Sequence, residues 1–427
     1  MAISPARKAA FAILRRVESD GAYSSELLHA SPLMSGIDER DRGLASEIVL
    51  GCLRWRGALD ALIARASNKK LKSLDAEVMT ALRMGCYQLR YLDRVPPHAA
   101  LSESVELVKQ AGKRSAAGFV NAVLRKLPAG PPAAEAVEQA QPSWLVERWR
   151  RHFGERTAEA ILRANVTPPA TYLRLNARFP LEETLRRLVE DGVDSEPTEL
   201  PWCRRLLQGR PEATKSYQEG RVRIQDLGSQ MVVPLLELRP EHRFLDLCAA
   251  PGNKTSQALE QRGSSAGAVA ADLHPRRLAT LRRLSTMPVP LVTLDAEAAL
   301  PFRTPFDRIL VDAPCSGTGT LARNPEIKWW LRPEDLPELA RKQARILKQA
   351  LEALAPGGVL VYSTCSLEPE ENSEVVAQVL AGRTKYTAEA YLERVPGRDP
   401  GDGFYACRIV RNSAVTSSQP APKQMIE

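Results

Sequence analysis

A chain of 427 residues with 44% apolar and 26% charged side chains has the composition of a globular protein of about three domains. No apolar run approaches the ~18 residues that a bilayer span needs, and the opening MAISPARKAAFAILRR lacks the apolar core and cleavage site of a secretory signal. The formal net charge of +8 is uneven: residues 1–130 hold 20 Lys and Arg against 13 Asp and Glu, the remainder 39 against 38, so a polyanion such as nucleic acid is the partner to expect at the basic first third.

In chain order, residues 1–128 read as helical. Val78, Leu82, Cys86 and Leu89 recur at helical spacing, as do Leu101, Val105 and Val108. Pro96 and Pro97 separate two of the segments, and the expectation is an all-α bundle. Residues 129–143, PAGPPAAEAVEQAQP with its neighbours, are rich in Pro and Ala and read as a linker. Trp144 and Trp149 then open one amphipathic helix running to about Ala164. Residues 144–224 form a small α+β subdomain: TYLRLN as a strand, LEETLRRLVEDG as a helix closed by Gly192, and further strand-like pieces to Arg223.

From Gln225 the pattern becomes regular. The runs RFLDLC, GAVAAD, PLVTLD, DRILVDA and GGVLVYST alternate with helical stretches, the pattern of a doubly wound, mostly parallel sheet over residues 225–412. Residues 413–427 are polar and aperiodic and read as a disordered tail.

Ligands of such sheets bind beyond the carboxyl ends of the strands, where strand order reverses. The small-residue turn Cys248, Ala249, Ala250, Pro251, Gly252, Asn253, Lys254 follows the first strand, which Asp246 closes. Asp272, Asp295 and Asp312 follow the second, third and fourth strands. The turn lacks both the G-x-x-x-x-G-K-[ST] and the G-x-G-x-x-G phosphate patterns, so a cofactor without pyrophosphate suits it, with Asp272 toward ribose hydroxyls and Asp295 toward an adenine amino group. Two further strand ends carry Cys315, in VDAPCSGTGT, and Cys365, in VYSTCSLEPE. Two thiols and an aspartate converging on one crevice suit covalent catalysis through a thiolate, with Asp312 and Lys254 as proton and charge partners. The seven cysteines include no C-x-x-C pair, so neither zinc nor a disulfide framework is expected, and the reduced cytosol fits best. Cys52, Cys86, Cys203 and Cys407 read as small buried hydrophobes.

The blocks DLCAAPGNKT, DAPCSGTGTLARNPEIKW and YSTCSLEPEEN resemble the signatures of the NOL1/NOP2/Sun family of RNA cytosine-5 methyltransferases, and the likeness spans roughly residues 145–410. The helical start, closing with GFVNAVLRKL, is similar to the RNA-binding antitermination factor NusB. The resemblance implies a Rossmann-like class I methyltransferase domain using S-adenosyl-L-methionine, with the loop Cys248–Lys254 and Asp272, Asp295 and Asp312 as its contacts. It implies Cys365 as nucleophile toward cytosine carbon 6 and Cys315 as the group assisting product release or taking the carbon-5 proton. The fusion implies 16S ribosomal RNA as substrate, with transfer RNA methylation or an RNA-binding assembly role as alternatives. A cytoplasmic monomer without metal or membrane partner is expected. Where relatives carry two glycines, this chain has Gly252-Asn253, and asparagine's tolerance of positive φ is expected to preserve the turn with altered cofactor affinity. Arg323, Lys328 and Trp329, past the Pro-Cys block, are either RNA contacts or an exposed loop with one packed aromatic.

Overall fold

Three packed bodies follow one another along the chain. The computed structural model describes residues 3–128 and 136–413, so most of the expected linker's first half and residues 414–427 of the expected tail lie outside the described residues. The first body is helical. Pro5–Asp20, Glu39–Arg54, Arg56–Ser67, Ala76–Tyr91 and Pro97–Gln110 are its long members, and they bury Ile13, Ile48, Leu59, Leu82 and Val108 in one apolar core. Pro97 takes the first position of its helix, where the missing N–H costs nothing.

The second body begins with Ser143–Phe153 and Glu155–Val166. The single helix expected through Ala164 is two, because Gly154 takes φ 76° and ψ 164° between them. The antiparallel sheet that follows holds β1 (Tyr172–Leu175), β2 (Asp194–Pro197), β3 (Cys203–Gln208) and β4 (Val222–Ile224) in the order β2-β3-β1-β4. One face packs against helix Leu181–Glu190 through Leu173, Leu188 and Val222.

The third body is a seven-stranded sheet of β5 (Phe244–Asp246), β6 (Ala268–Asp272), β7 (Leu291–Thr293), β8 (Phe306–Asp312), β9 (Leu354–Thr364), β10 (Tyr386–Arg394) and β11 (Phe404–Arg411), ordered β10-β11-β9-β8-β5-β6-β7. β5 to β9 pair in parallel, while β11 runs antiparallel to β9 and to β10. The chain leaves β5 outward to β6 and β7, then returns to β8 on β5's other side. The crevice at the carboxyl ends of β5 and β8 is therefore the switch point where such sheets bind ligands.

The bodies interlock through buried polar groups. Arg174 of β1 and Glu260 of helix Asn253–Arg262 form an ion pair with both side chains buried. Arg148 and the Trp149 indole reach Glu368, beyond β9. The segment after β8 is where the helical bundle docks, and it corrects the reading of Arg323, Lys328 and Trp329. Lys328 is 1% exposed and its Nζ donates to Arg54 O at 2.8 Å, Ala140 O at 2.9 Å and Gln141 Oε1 at 2.9 Å. The Trp329 indole N–H donates to Leu53 O at 2.9 Å, and Arg323 is paired with Asp402 and Asp226. These side chains are spent on packing the bodies together and not on an open RNA surface. Residues 136–143 of the expected linker belong to the same contact. Helix Ala136–Gln139 leads into buried Ala140 and Gln141, and a Cβ at Gly57 would meet Gln139 O at 2.1 Å. Among the described residues no helix is long and apolar enough to cross a membrane.

Burial, and then the Arg54 guanidinium, pull the Lys328 pKa well down. Truncating this side chain leaves its three acceptors unsatisfied. Lys328→Ala is expected to cost about 3 kcal/mol of stability and to split the thermal unfolding transition in calorimetry, with the helical bundle separating first.

Candidate active site

β5 ends at buried Asp246, and the chain turns back into helix Asn253–Arg262 through the small-residue loop. Gly252 takes φ 113°, and a Cβ there would stand 2.6 Å from Leu281 Cγ, so both backbone and space demand glycine. Asn253 is the first helical residue and is not among the described non-glycine residues at positive φ, Asn68 and Glu237. The accommodation expected of Asn253 is therefore not called upon. The loop is tied to the next strand: Asp272 accepts the N–H of Ala250 at 3.1 Å and of His274 at 2.9 Å, and Arg277 donates to Ala250 O at 2.8 Å.

This loop walls a cleft of about 290 Å³ that brings together Cys248, Ala250, Pro251, Asp272, Asp295, Asp312, Cys315 and Cys365. Ala249, Gly252, Asn253 and Lys254 do not line it; they shape the turn from behind. Asp295 stands two residues beyond the end of β7, with its carboxylate accepting the Glu297 N–H. Asp312 accepts from Lys254 Nζ at 2.7 Å through one oxygen and from Ser363 Oγ at 2.8 Å through the other. The two cations on the wall are already engaged, Arg277 with Asp272 at 3.8 Å and Lys342 with Glu297 at 3.6 Å. A donor set of three carboxylates and no phosphate nest fits a ligand rich in hydroxyl and amino donors and carrying positive charge. S-adenosylmethionine is such a ligand.

Cys315 Sγ and Cys365 Sγ lie 3.4 Å apart. A hydrogen bond with Cys365, and burial after that, push the Cys315 thiol well up. Burial pushes Cys248 up as well and leaves it an unreactive wall residue. Cys52, Cys86, Cys203 and Cys407 are buried as expected.

What holds the thiols together is Glu371, a residue whose role sequence reasoning missed. Its fully buried carboxylate accepts the Ser316 N–H at 2.8 Å, both the Ser316 and Ser366 hydroxyls, and Gln343 Nε2 at 2.8 Å. One carboxylate thus fastens the residue after each cysteine. Gly319 N–H donating to Cys365 O at 2.9 Å and Leu367 N–H donating to Thr318 Oγ1 at 2.9 Å complete the seam. The one signal in the sequence was the run of glutamates after the second cysteine.

Removing this carboxylate takes an acceptor from four buried donors. Glu371→Ala is expected to cost about 3 kcal/mol and to speed iodoacetamide alkylation of Cys315 several-fold, read by mass spectrometry. A variant that loses stability with unaltered alkylation would show that the carboxylate does not position the thiols. Asp246 offers a pH test. Burial first, with Asp312 adding to it, raises its carboxyl to about 7, while Thr255 Oγ1 donating at 2.7 Å pulls the other way. The folded chain then keeps a proton that the unfolded chain releases near pH 4, so stability falls as pH rises toward 7. Asp246→Asn is expected to lose this dependence and to melt higher than the parent at pH 8 than at pH 5, relative to each parent value.

Residues 233–409 match the family 16S rRNA methyltransferase RsmB/F, residues 141–211 the RsmF/B-like methyltransferase ferredoxin-like domain, and residues 4–128 the NusB family. The chain is 36% identical to ribosomal RNA small subunit methyltransferase B of Pseudomonas putida, over 96% of this chain and 99% of that one. It is 34% identical to the probable ribosomal RNA small subunit methyltransferase B of Bacillus subtilis, over 91% of each. The crystal structure of PH0851 superposes with a TM-score of 0.81 over 96% of this chain and 99% of the other, at 22% identity, a likeness of fold. With a NusB-type bundle, a ferredoxin-like subdomain and a methyltransferase sheet matched in sequence along nearly its whole length, the chain belongs to the RsmB family of ribosomal RNA small subunit methyltransferases.

Proposed function

We propose that this chain methylates carbon 5 of a cytosine in 16S ribosomal RNA, with S-adenosylmethionine as donor and a transient bond between Cys365 sulfur and carbon 6 of the base. The observation that carries this reading is the thiol pair, 3.4 Å apart, at the edge of the carboxylate-lined cleft. When bound, S-adenosylmethionine supplies an electrophilic methyl group, and the loop Cys248–Lys254 with Asp272, Asp295 and Asp312 would hold it.

Carbon 5 of cytosine is too weak a nucleophile to take a methyl group unaided. Addition of the Cys365 thiolate at carbon 6 pushes electron density to carbon 5, and ring nitrogen 3 takes up a proton from solvent, which it returns when the product ring re-forms. Asp312, ion-paired with Lys254 at 2.7 Å, stabilises the protonated edge of the ring as a hydrogen-bond acceptor. After transfer, a base takes the carbon-5 proton, the double bond re-forms and the Cys365 sulfur departs with its electron pair. Cys315, whose sulfur lies 3.4 Å from that of Cys365, is assigned to this release step. The chemistry is nucleophilic catalysis with acid–base assistance. A target base has to leave its stack to reach half-buried thiols, so a single-stranded or flipped cytosine is the substrate form.

The two cysteines have separable signatures. Cys365→Ala is expected to abolish tritium transfer from labelled S-adenosylmethionine to an unmodified 16S transcript. Cys315→Ala, with Cys365 intact, is expected to accumulate a protein–RNA adduct that survives a denaturing gel. Free turnover by the Cys315 variant, or adduct formation by the Cys365 variant, would reverse the assignment.

A further inference from the structure

A second cleft, of about 660 Å³, also reaches Cys315 but is separate from the carboxylate-lined one; Tyr23 and Trp330 stand in its wall. Tyr23 belongs to the helical bundle, whereas Trp330 ends the short helix Ile327–Trp330 beyond the Pro-Cys loop. Their ring centroids are 5.6 Å apart at an interplanar angle of 79°. We propose that Tyr23 and Trp330 together form an aromatic platform on which the RNA base neighbouring the target cytosine stacks, so that the bundle contributes directly to the substrate site. This inference rests on the RNA methyltransferase reading above.

Three observations and one general rule support it. First, Tyr23 is held in place without being covered. Ser24 donates its N–H and hydroxyl to the two oxygens of Glu326, at 2.9 and 2.8 Å, and Glu326 is fully buried while Tyr23 stays 44% exposed. An aromatic ring fixed at its backbone and open on its face costs little entropy to stack on. Second, the ring is near the reacting sulfurs: burial, then the Glu326 carboxylate, then Cys365 and Cys315 raise its phenol above the ordinary tyrosine range. Third, three basic and two acidic side chains share the cleft, and exposed Arg341 carries no ion pair among the described residues, which leaves it available to a phosphate. Fourth, sequence-specific binding of unpaired RNA works by stacking bases on aromatic side chains. Stacking the neighbour fixes the strand while the target base continues inward to Cys315 and Cys365.

The test uses the full chain and an unmodified 16S transcript. Tyr23→Ala is expected to raise both the RNA dissociation constant and the KM for RNA roughly tenfold, with S-adenosylmethionine affinity within about twofold and an unchanged melting temperature. Tyr23→Phe, which keeps the stacking face, is expected to behave like the parent. Parental kinetics in Tyr23→Ala would overturn the proposal, as would a Phe variant as impaired as Ala, which would assign the role to the hydroxyl. Equal losses of RNA and cofactor affinity would make Tyr23 merely structural. Should the parent transfer no methyl group to RNA, the methyltransferase reading fails by itself, and the RNA affinities of parent and Tyr23→Ala still decide the stacking.

Discussion

The buried Glu371 carboxylate is the constraint on which the site depends. Parallel register sets Asp312 of β8 opposite Ser363 of β9, which brings the two strand ends side by side but leaves the loops beyond them undetermined. Ser316 and Ser366, each the residue after a cysteine, converge on one acceptor, and that convergence puts two sulfurs at contact distance. Burying a carboxylate is expensive unless its lone pairs are filled. Here the desolvation cost, visible as a raised Glu371 pKa, is offset by donors that belong to the two cysteine-bearing loops and to Gln343. Any loosening of either loop would strand a buried charge, which opposes separation of the pair.

The other two bodies brace the same loops from outside. The subdomain helix Ser143–Phe153 presses Arg148 and Trp149 on Glu368, three residues past Cys365. The helical bundle grips residues 322–330, a few residues past Cys315, through Arg54 donating to Ala322 O at 2.9 Å and through Ser24 on Glu326. A third brace, the buried Arg174–Glu260 pair, reaches the helix that follows the small-residue loop Cys248–Lys254. The first body thus holds the segment after Cys315, and the second holds both the segment after Cys365 and the helix after the small-residue loop.

Much of this was legible in the sequence for a physical reason. β5, β6, β8 and β9 are buried on both faces and so appear as short unbroken apolar runs, and the residues at their ends stand out as abrupt changes to Asp, Cys and small residues. Asp246, Asp272, Asp312, Cys315 and Cys365 were found in that way. The hairpin β10–β11 was not, because β10 alternates between buried and exposed positions and its sequence YTAEAYLER carries no continuous apolar signal. The break at Gly154 hid inside an otherwise amphipathic stretch. Arg323, Lys328 and Trp329 read as a basic surface because charge is visible along a chain and burial is not. Their partners at Leu53, Arg54, Ala140, Asp226 and Asp402 are remote in sequence. Glu371 was hidden for a related cause: one glutamate in an acidic run gives no sign of which carboxylate turns inward.

The ammonium of Lys328 draws its acceptors from the end of one bundle helix and from the strand of chain leading out of the bundle. No part of that arrangement is self-contained. In evolutionary terms, the bundle is not a freely shuffled cassette: a lineage that exchanged it for an unrelated module would have had to rewrite the stretch after the Pro-Cys loop at the same time. Grafting experiments between relatives inherit the same joint, and the crossover belongs beyond Trp330, not at the proline-rich boundary.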